Sequence, residues 1–348
     1  MSQRSVLIDG LKVVASQLIV LHHIVLYAPM AQALAPGWPA TARFLGGEAR
    51  YVVQLFLVIG GYLAAQGLAR PQAPLPRLLW ARYLRLVPML AVALLAVLAA
   101  SALLPAGRWP DWVSPWPTLG QFAAHLLLLQ DVLGIPSLSA GAWYVAIDFQ
   151  LYALLAVAAA RLPRAGGQPP WQGALPWAVA ALALASLAWF NRDSALDIWG
   201  LYFFNAYGLG VLAAWAGRSR ALAGLFALLC ALHLADAVLA ARPRAGLAAL
   251  TALALVLWAG RGSLQGPLQR WLAYWSDASY GVFLIHYAVI VAATALWLRL
   301  GLQGTAAAWA LLLGCWAASL AAGALLQRRV GAPLARQPWA GPGRVSVR

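Results

Sequence analysis

The stretch Ile8 to Tyr27, IDGLKVVASQLIVLHHIVLY, is long and apolar enough to cross a bilayer, yet it carries Asp9, Lys12, Ser16, Gln17, His22 and His23. Ionisable groups in a hydrocarbon-embedded helix are costly, and by default they mark function. Eleven residues separate Lys12 from His23. At about 100° per residue that is close to three turns, so both lie on one face. Asp9, Ser16 and His23 follow at steps of seven on nearly the same line. The result is a polar stripe on an apolar helix. From Lys12 to His23 it runs about 16 Å, half the hydrocarbon thickness of a membrane.

Other charged groups are placed with similar economy. Arg70, Arg77, Arg82 and Arg85 fall within sixteen residues, and RYLRLVP sets Arg82 and Arg85 one turn apart with Pro88 to bend the helix beyond. Two guanidinium forks on one helix face suit phosphate, which they can grip in bidentate fashion. A topology signal with headgroup contacts is the other reading. In WYVAIDFQLYALL, Tyr144, Asp148 and Tyr152 recur every four residues and share a face. An ionised aspartate there requires a cavity or a partner, and Lys12 and His23 are candidates. A structural ion pair between two helices would satisfy it equally. SDASYGVFLIHYAVI puts Asp277 at the start of a span and His286 inside it. The spacing of His233 and Asp236 reads as a local pair, and His125 reads as structural. In RWPDWVSPWP, Trp109, Trp112 and Trp116 are either interfacial anchors or a stacking platform for a sugar.

The elements that must position these groups are membrane helices. Hydrophobic residues make up 63% of the chain and charged residues 9%, and the mean hydropathy of +0.76 lies far outside the soluble range. The fold class expected is all-α, a polytopic membrane bundle with spans near 6–28, 51–69, 78–104, 143–161, 174–191, 198–216, 221–239, 245–260, 276–298 and 305–327. Gln121 to Gly134 is too short for a span and reads as re-entrant or interfacial. With ten spans both termini are cytoplasmic and 17 of the 24 basic residues face the cytoplasm, as the positive-inside rule prefers. Arg242 and Arg244 break that pattern. The net charge of +15 is therefore a matter of topology, and no nucleic acid is expected. Residues 1–329 read as one membrane domain, and 330–348 as a basic, mobile cytoplasmic tail. Cys230 and Cys315 sit inside apolar runs, so neither a disulfide framework nor a metal site is expected. Ala31-Gln32-Ala33 resembles a signal cleavage site, but Asp9, Lys12 and two histidines are foreign to a signal core.

Taken together, these segments resemble the acyltransferase-3 family of integral-membrane acyltransferases, which modify bacterial surface glycans and lipids. LIDGLKVVASQLIVLHH resembles the family's first helix, in which an arginine is followed after ten residues by an essential histidine; Lys12 and His23 take those positions. FLVIGGYLAAQ is similar to the FFVxSGYL element, RYLRLVP to RRxxRIxP, AWYVAIDFQLY to WSLxxExxFY, and SYGVFLIHY to SYxxYLxH. Five elements in order, over nearly the whole chain, make a specific signal. Lysine stands for arginine at Lys12, glycine for serine at Gly60, and aspartate for glutamate at Asp148.

The resemblance implies acyl transfer, by default acetyl, from cytoplasmic acyl-coenzyme A to a hydroxyl of an envelope glycan or lipid-linked sugar, in a bacterial inner membrane and without a metal. It assigns His23 as general base, with a transient acyl-histidine as the other route. His22, rotated about 100°, ranks second. Asp9 and Lys12 tune the stripe, along which the pantetheine arm runs. Arg82 and Arg85 hold the nucleotide phosphates, and Trp143, Tyr144, Asp148 and His286 line the substrate cavity. A multi-pass transporter or flippase is the rival class, since intramembrane charges suit it equally. No inverted repeat is visible in the sequence, and the Arg-pair-then-Pro element has no task in that reading. A catalytically silent membrane partner is a third, resting on the Lys12 and Gly60 departures alone.

Overall fold

The computed structural model describes residues 4–68, 73–162, 168–261 and 265–337. Arg70, Arg164 and positions 338–348 of the expected tail lie outside the described residues. Helices follow one another as α1 (Val6–Tyr27), α2 (Pro29–Leu34), α3 (Pro39–Gly46), α4 (Val53–Leu68), α5 (Leu75–Ser101), α6 (Leu119–Leu126), α7 (Ala142–Arg161), α8 (Leu175–Ala188), α9 (Gly200–Trp215), α10 (Arg220–Leu239), α11 (Pro243–Trp258), α12 (Gly266–Arg299), α13 (Thr305–Leu326) and α14 (Ala332–Ala335). No strand occurs among the described residues. Proline at the first turn of α2, α3, α8, α11 and α14 removes an N–H that no carbonyl could reach there. A π-turn at Gln327–Gly331 leads directly into α14.

Seven helical segments among the described residues are long and apolar enough to cross a membrane: Val6–Tyr27, Pro39–Leu68, Leu75–Ser101, Ala142–Arg161, Arg220–Leu239, Gly266–Arg299 and Thr305–Ala335. The ten-span expectation exceeds this number. The three further spans expected from the sequence are α8, α9 and α11, of 14, 16 and 16 residues. At about 1.5 Å per residue they reach roughly 21–24 Å, less than the ~30 Å of a hydrocarbon core. The piece from Gln121 to Gly134 is too short to cross as a helix. Its helix α6 has 8 residues, about 12 Å. It opens with a capping box between Thr118 and Gln121, and the chain soon turns through Leu128 at φ 59°. His125 is bonded through both ring nitrogens. Its Nδ1–H donates to the Gln121 carbonyl at 2.8 Å and its Nε2 accepts from the Leu138 N–H at 3.0 Å. Burial pushes its pKa down, and the Nε2 that accepts from Leu138 carries no proton.

The chain forms two compact units. The first comprises Met1–Lys12, Tyr51–Tyr83 and Ile147–Leu272. Its centre is α9, fourteen of whose sixteen residues are buried, so this helix faces protein and not lipid. It lies against α4 at backbone contact. A Cβ on Gly210 would fall 1.9 Å from the Val58 carbonyl oxygen, and one on Gly61 would fall 2.0 Å from that of Tyr207. At one end of this unit Asp236 pairs with Arg192 at 2.5 Å and Arg242 at 2.8 Å. Arg242 also donates to the carbonyls of Leu187 and Asn191, and Arg244 donates to the Asn191 carbonyl and the Tyr202 hydroxyl. The two arginines that break the loop-charge pattern are thus held by carbonyls left open at the end of α8. They have a local task that topology does not set.

The second unit comprises Val13–Arg50, Leu84–Ala146 and Ala273–Arg348. Here α12 meets α13 through Gly281 and Gly323. A Cβ at Gly281 would lie 2.4 Å from the Gly323 oxygen. Gln17 is matched across the unit, its Oε1 accepting from Trp316 Nε1–H at 2.9 Å. Ser16 donates back to the Val13 carbonyl at 2.8 Å.

Candidate active site

His23 and His286, 263 positions apart in sequence, meet in the second unit with His286 Nε2 and His23 Nδ1 separated by 2.8 Å. Both are buried. One hydrogen bond fixes the tautomers of both rings. His286 Nδ1 lies 3.3 Å from the Val282 carbonyl oxygen. A carbonyl oxygen can only accept, so Nδ1 carries the proton and Nε2 presents a lone pair. His23 must then donate from Nδ1–H, which places its own lone pair on Nε2. His22 is set in the same way, its Nδ1–H donating to the Leu45 carbonyl at 2.7 Å. The partners distinguish the two. A proton taken up at His23 Nε2 meets a second imidazole that can share the charge, whereas the Nδ1–H of His22 is held by a backbone oxygen.

An aromatic cluster adjoins the dyad. Tyr27, one turn after His23, stacks on it at 5.6 Å. Trp112 lies 5.1 Å from Tyr27 and 5.8 Å from Tyr287, whose hydroxyl donates to the Trp112 carbonyl at 2.7 Å. One tryptophan of the RWPDWVSPWP loop therefore packs against Tyr27, the ring that stacks on His23. Trp109 instead donates Nε1–H to the Val113 carbonyl at 2.9 Å. Tyr144 reaches the dyad through Phe283, which stands 5.2 Å from Tyr144 and 6.1 Å from His286. Trp143 packs edge-on against Tyr144. Sequence reasoning missed Tyr27, Phe283 and Tyr287. The signal for the first was its i+4 position after His23, and for the last its place next to His286.

A separate cluster in the first unit gathers Arg82, Asp148, Tyr152 and Tyr207. One terminal nitrogen of Arg82 donates to both carboxylate oxygens of Asp148, at 2.6 and 2.5 Å. The guanidinium lies 5.1 Å from the centroid of the Tyr152 ring. The partner of Asp148 is thus Arg82, and not Lys12 or His23, the candidates the sequence offered; an ion pair between two helices, the other reading of this aspartate, is what the fold makes. Arg82 spends much of its charge on a neighbour within the protein. Asp9 is paired nearby in sequence, accepting from Arg4 Nε–H at 2.5 Å. Lys12 falls in the first unit and Arg85 in the second. Of the site residues expected from the sequence, the fold brings together His23, His286 and, through Phe283, Tyr144, and in the other unit Arg82 and Asp148.

A family model described as an acyltransferase domain matches residues 6–327. The chain belongs to the acyltransferase-3 family. No curated protein and no solved structure matches it. Membership makes this a membrane acyltransferase and gives the two clusters a common context. His23 lies in the segment that resembles the family's first helix, and its partner in the dyad lies in the SYxxYLxH-like element. Asp148, in the WSLxxExxFY-like element, holds Arg82 of the RRxxRIxP-like element.

The dyad makes a testable demand on His286. His286→Phe keeps an aromatic ring against His23 but removes the accepting nitrogen, so His23 loses its fixed tautomer. The expected result is a fall in kcat with little change in KM. His286→Gln, whose amide oxygen can accept from His23 Nδ1–H, should recover part of the rate. Steady-state kinetics of both variants check this, and equal losses would reduce His286 to packing.

Proposed function

We propose that the protein moves an acyl group, acetyl by default, from cytoplasmic acyl-coenzyme A to a hydroxyl of an envelope glycan or lipid-linked sugar. The observation that carries this reading is the His23–His286 dyad, whose hydrogen bonds leave the His23 Nε2 lone pair as a base. In the proposed step His23 Nε2 takes the acceptor hydroxyl proton as the oxygen attacks the thioester carbonyl carbon. The C–S bond then breaks, and the departing thiolate takes the proton back from His23. His286 shares the positive charge between these events. Arg85 of the basic helix α5 serves the donor's phosphates, Arg82, balanced by Asp148, serves its neutral arm, Asp9 and Lys12 tune the first helix, and Trp143 and Tyr144 line the substrates' approach to the dyad. In this reading the chain has about ten spans, lies in the bacterial inner membrane and keeps both termini in the cytoplasm.

Purified protein is expected to gain thermal stability from acetyl-coenzyme A in proportion to RT ln(1 + [L]/Kd). Membranes carrying it should add acetyl groups to envelope glycans, detected by mass spectrometry with and without the gene. Absence of any stabilisation by coenzyme A thioesters would count against the donor and favour a transporter.

A further inference from the structure

Among the described residues of the first unit, four buried side-chain polar atoms have no hydrogen-bond partner, and two of them, the Nε–H of Arg82 and the hydroxyl of Tyr207, belong to the Arg82–Asp148 cluster. Tyr207 is only 1% exposed, so bulk water does not satisfy its hydroxyl. Leaving a buried donor unmatched is unfavourable, and such atoms are few in native proteins, each calling for an explanation. These two border one feature. The Tyr207 hydroxyl is in electrostatic reach of Arg82 and of Asp148. Beside them a side chain is missing. A Cβ on Gly60 would lie 3.5 Å from the Tyr207 ring and 3.9 Å from Asp148 Oδ1, in ordinary contact with both. Packing therefore does not demand glycine at position 60, in contrast to Gly61 beside it, where a Cβ would fall 2.0 Å from the Tyr207 carbonyl oxygen. Gly60 leaves a notch the size of one side-chain carbon, where the related motif has a serine.

The chemistry of the notch selects its occupant. Both unmatched groups can donate, so the complement is an acceptor oxygen. The Arg82 charge is already balanced by Asp148 at 2.5 Å, so a phosphate or carboxylate would be set against that carboxylate. A neutral carbonyl oxygen fits. We propose that Gly60, Arg82 and Tyr207 form a subsite for a carbonyl of the acyl-pantetheine arm of the donor, its thioester or one of its amides. This rests on the acyl-coenzyme A reading above, and it divides the donor into a neutral arm held here and a nucleotide held elsewhere.

The test uses the full-length protein and three probes, acetyl-coenzyme A, acetyl-pantetheine and adenosine 3′,5′-bisphosphate. Tyr207→Phe removes a hydroxyl that the unliganded protein leaves unmatched, so its Tm without ligand should rise. Its affinity for acetyl-coenzyme A and acetyl-pantetheine should fall by the same factor, about threefold to tenfold for one hydrogen bond, with the bisphosphate unaffected. Gly60→Ala narrows the notch with a methyl group and improves helix propensity, so it should fold and lose acetyl-pantetheine affinity likewise. A lower Tm for Tyr207→Phe, or unchanged acetyl-pantetheine binding in both variants, would overturn the subsite while leaving the donor intact. Wild-type protein that binds no coenzyme A thioester would overturn both.

Discussion

Replacing His23 by glutamine is expected to lower acyl transfer by about 10²–10⁴-fold, the usual contribution of a positioned general base, while the protein remains folded. Glutamine is the informative choice because of the dyad. Its amide N–H can still donate to His286 Nε2, the group that His23 Nδ1 meets at 2.8 Å, but it has no basic lone pair to receive the acceptor proton. His23→Ala should lose the same activity and also stability, because it strands the His286 nitrogen in a buried site at a cost of about 1–3 kcal/mol. The pair of variants therefore separates chemistry from folding. His22→Gln is the control. His22 donates to the Leu45 carbonyl, a bond glutamine can imitate, and activity should be largely kept. Transfer assays on membranes normalised for protein amount give the answer. Undiminished transfer by His23→Gln would remove this residue as the base.

The second large effect concerns a glycine. Gly210→Ala should cost most of the folded protein, because the new Cβ would lie 1.9 Å from the Val58 carbonyl oxygen, 2.8 Å from its carbon and 3.0 Å from the Tyr62 nitrogen. All three are backbone atoms of α4, so no rotamer change can make room. Helices α4 and α9 must separate, giving up contacts along their length. Overpacking of a core commonly costs about 1–3 kcal/mol and at times more. Close approach through small residues is also a main source of helix association in a bilayer. The damage would reach the Arg82 cluster, since Tyr207 sits on the displaced helix. Gly224→Ala is the matched control, on α10 with nothing within 4 Å of its new Cβ. It should be neutral or more stable by up to about 1 kcal/mol through helix propensity. Detergent-solubilised yield, monodispersity and Tm for the two variants decide the matter, and equal behaviour would refute the close crossing.

Much of the molecule was legible before any coordinates. Apolar runs of some twenty residues announce a multi-pass helical protein, since no other spanning element satisfies every backbone group within one segment. The steps of seven along α1 and the ordered motifs placed His23 at the centre and pointed to the family. The number of spans was less legible. A helix such as α9, wrapped by protein on nearly all sides, is as hydrophobic as one that faces lipid. Its length is set by where turns and caps end it, and hydropathy does not register those.

Partnerships were the least legible. Asp148 was rightly read as needing a partner, but the choice of Arg82, 66 positions away, over Lys12 or His23 depends on which helix faces fall together. His286 was read as lining a cavity, and its bond to His23 spans 263 positions. Sequence by itself determined what had to be satisfied, namely buried charges in apolar helices, because that cost is local to each residue. Only the tertiary structure decided how each was satisfied, because glycines such as Gly61, Gly210 and Gly281 fix how closely and at which register helices meet. In the dyad that register sets which histidine nitrogen is left with a lone pair.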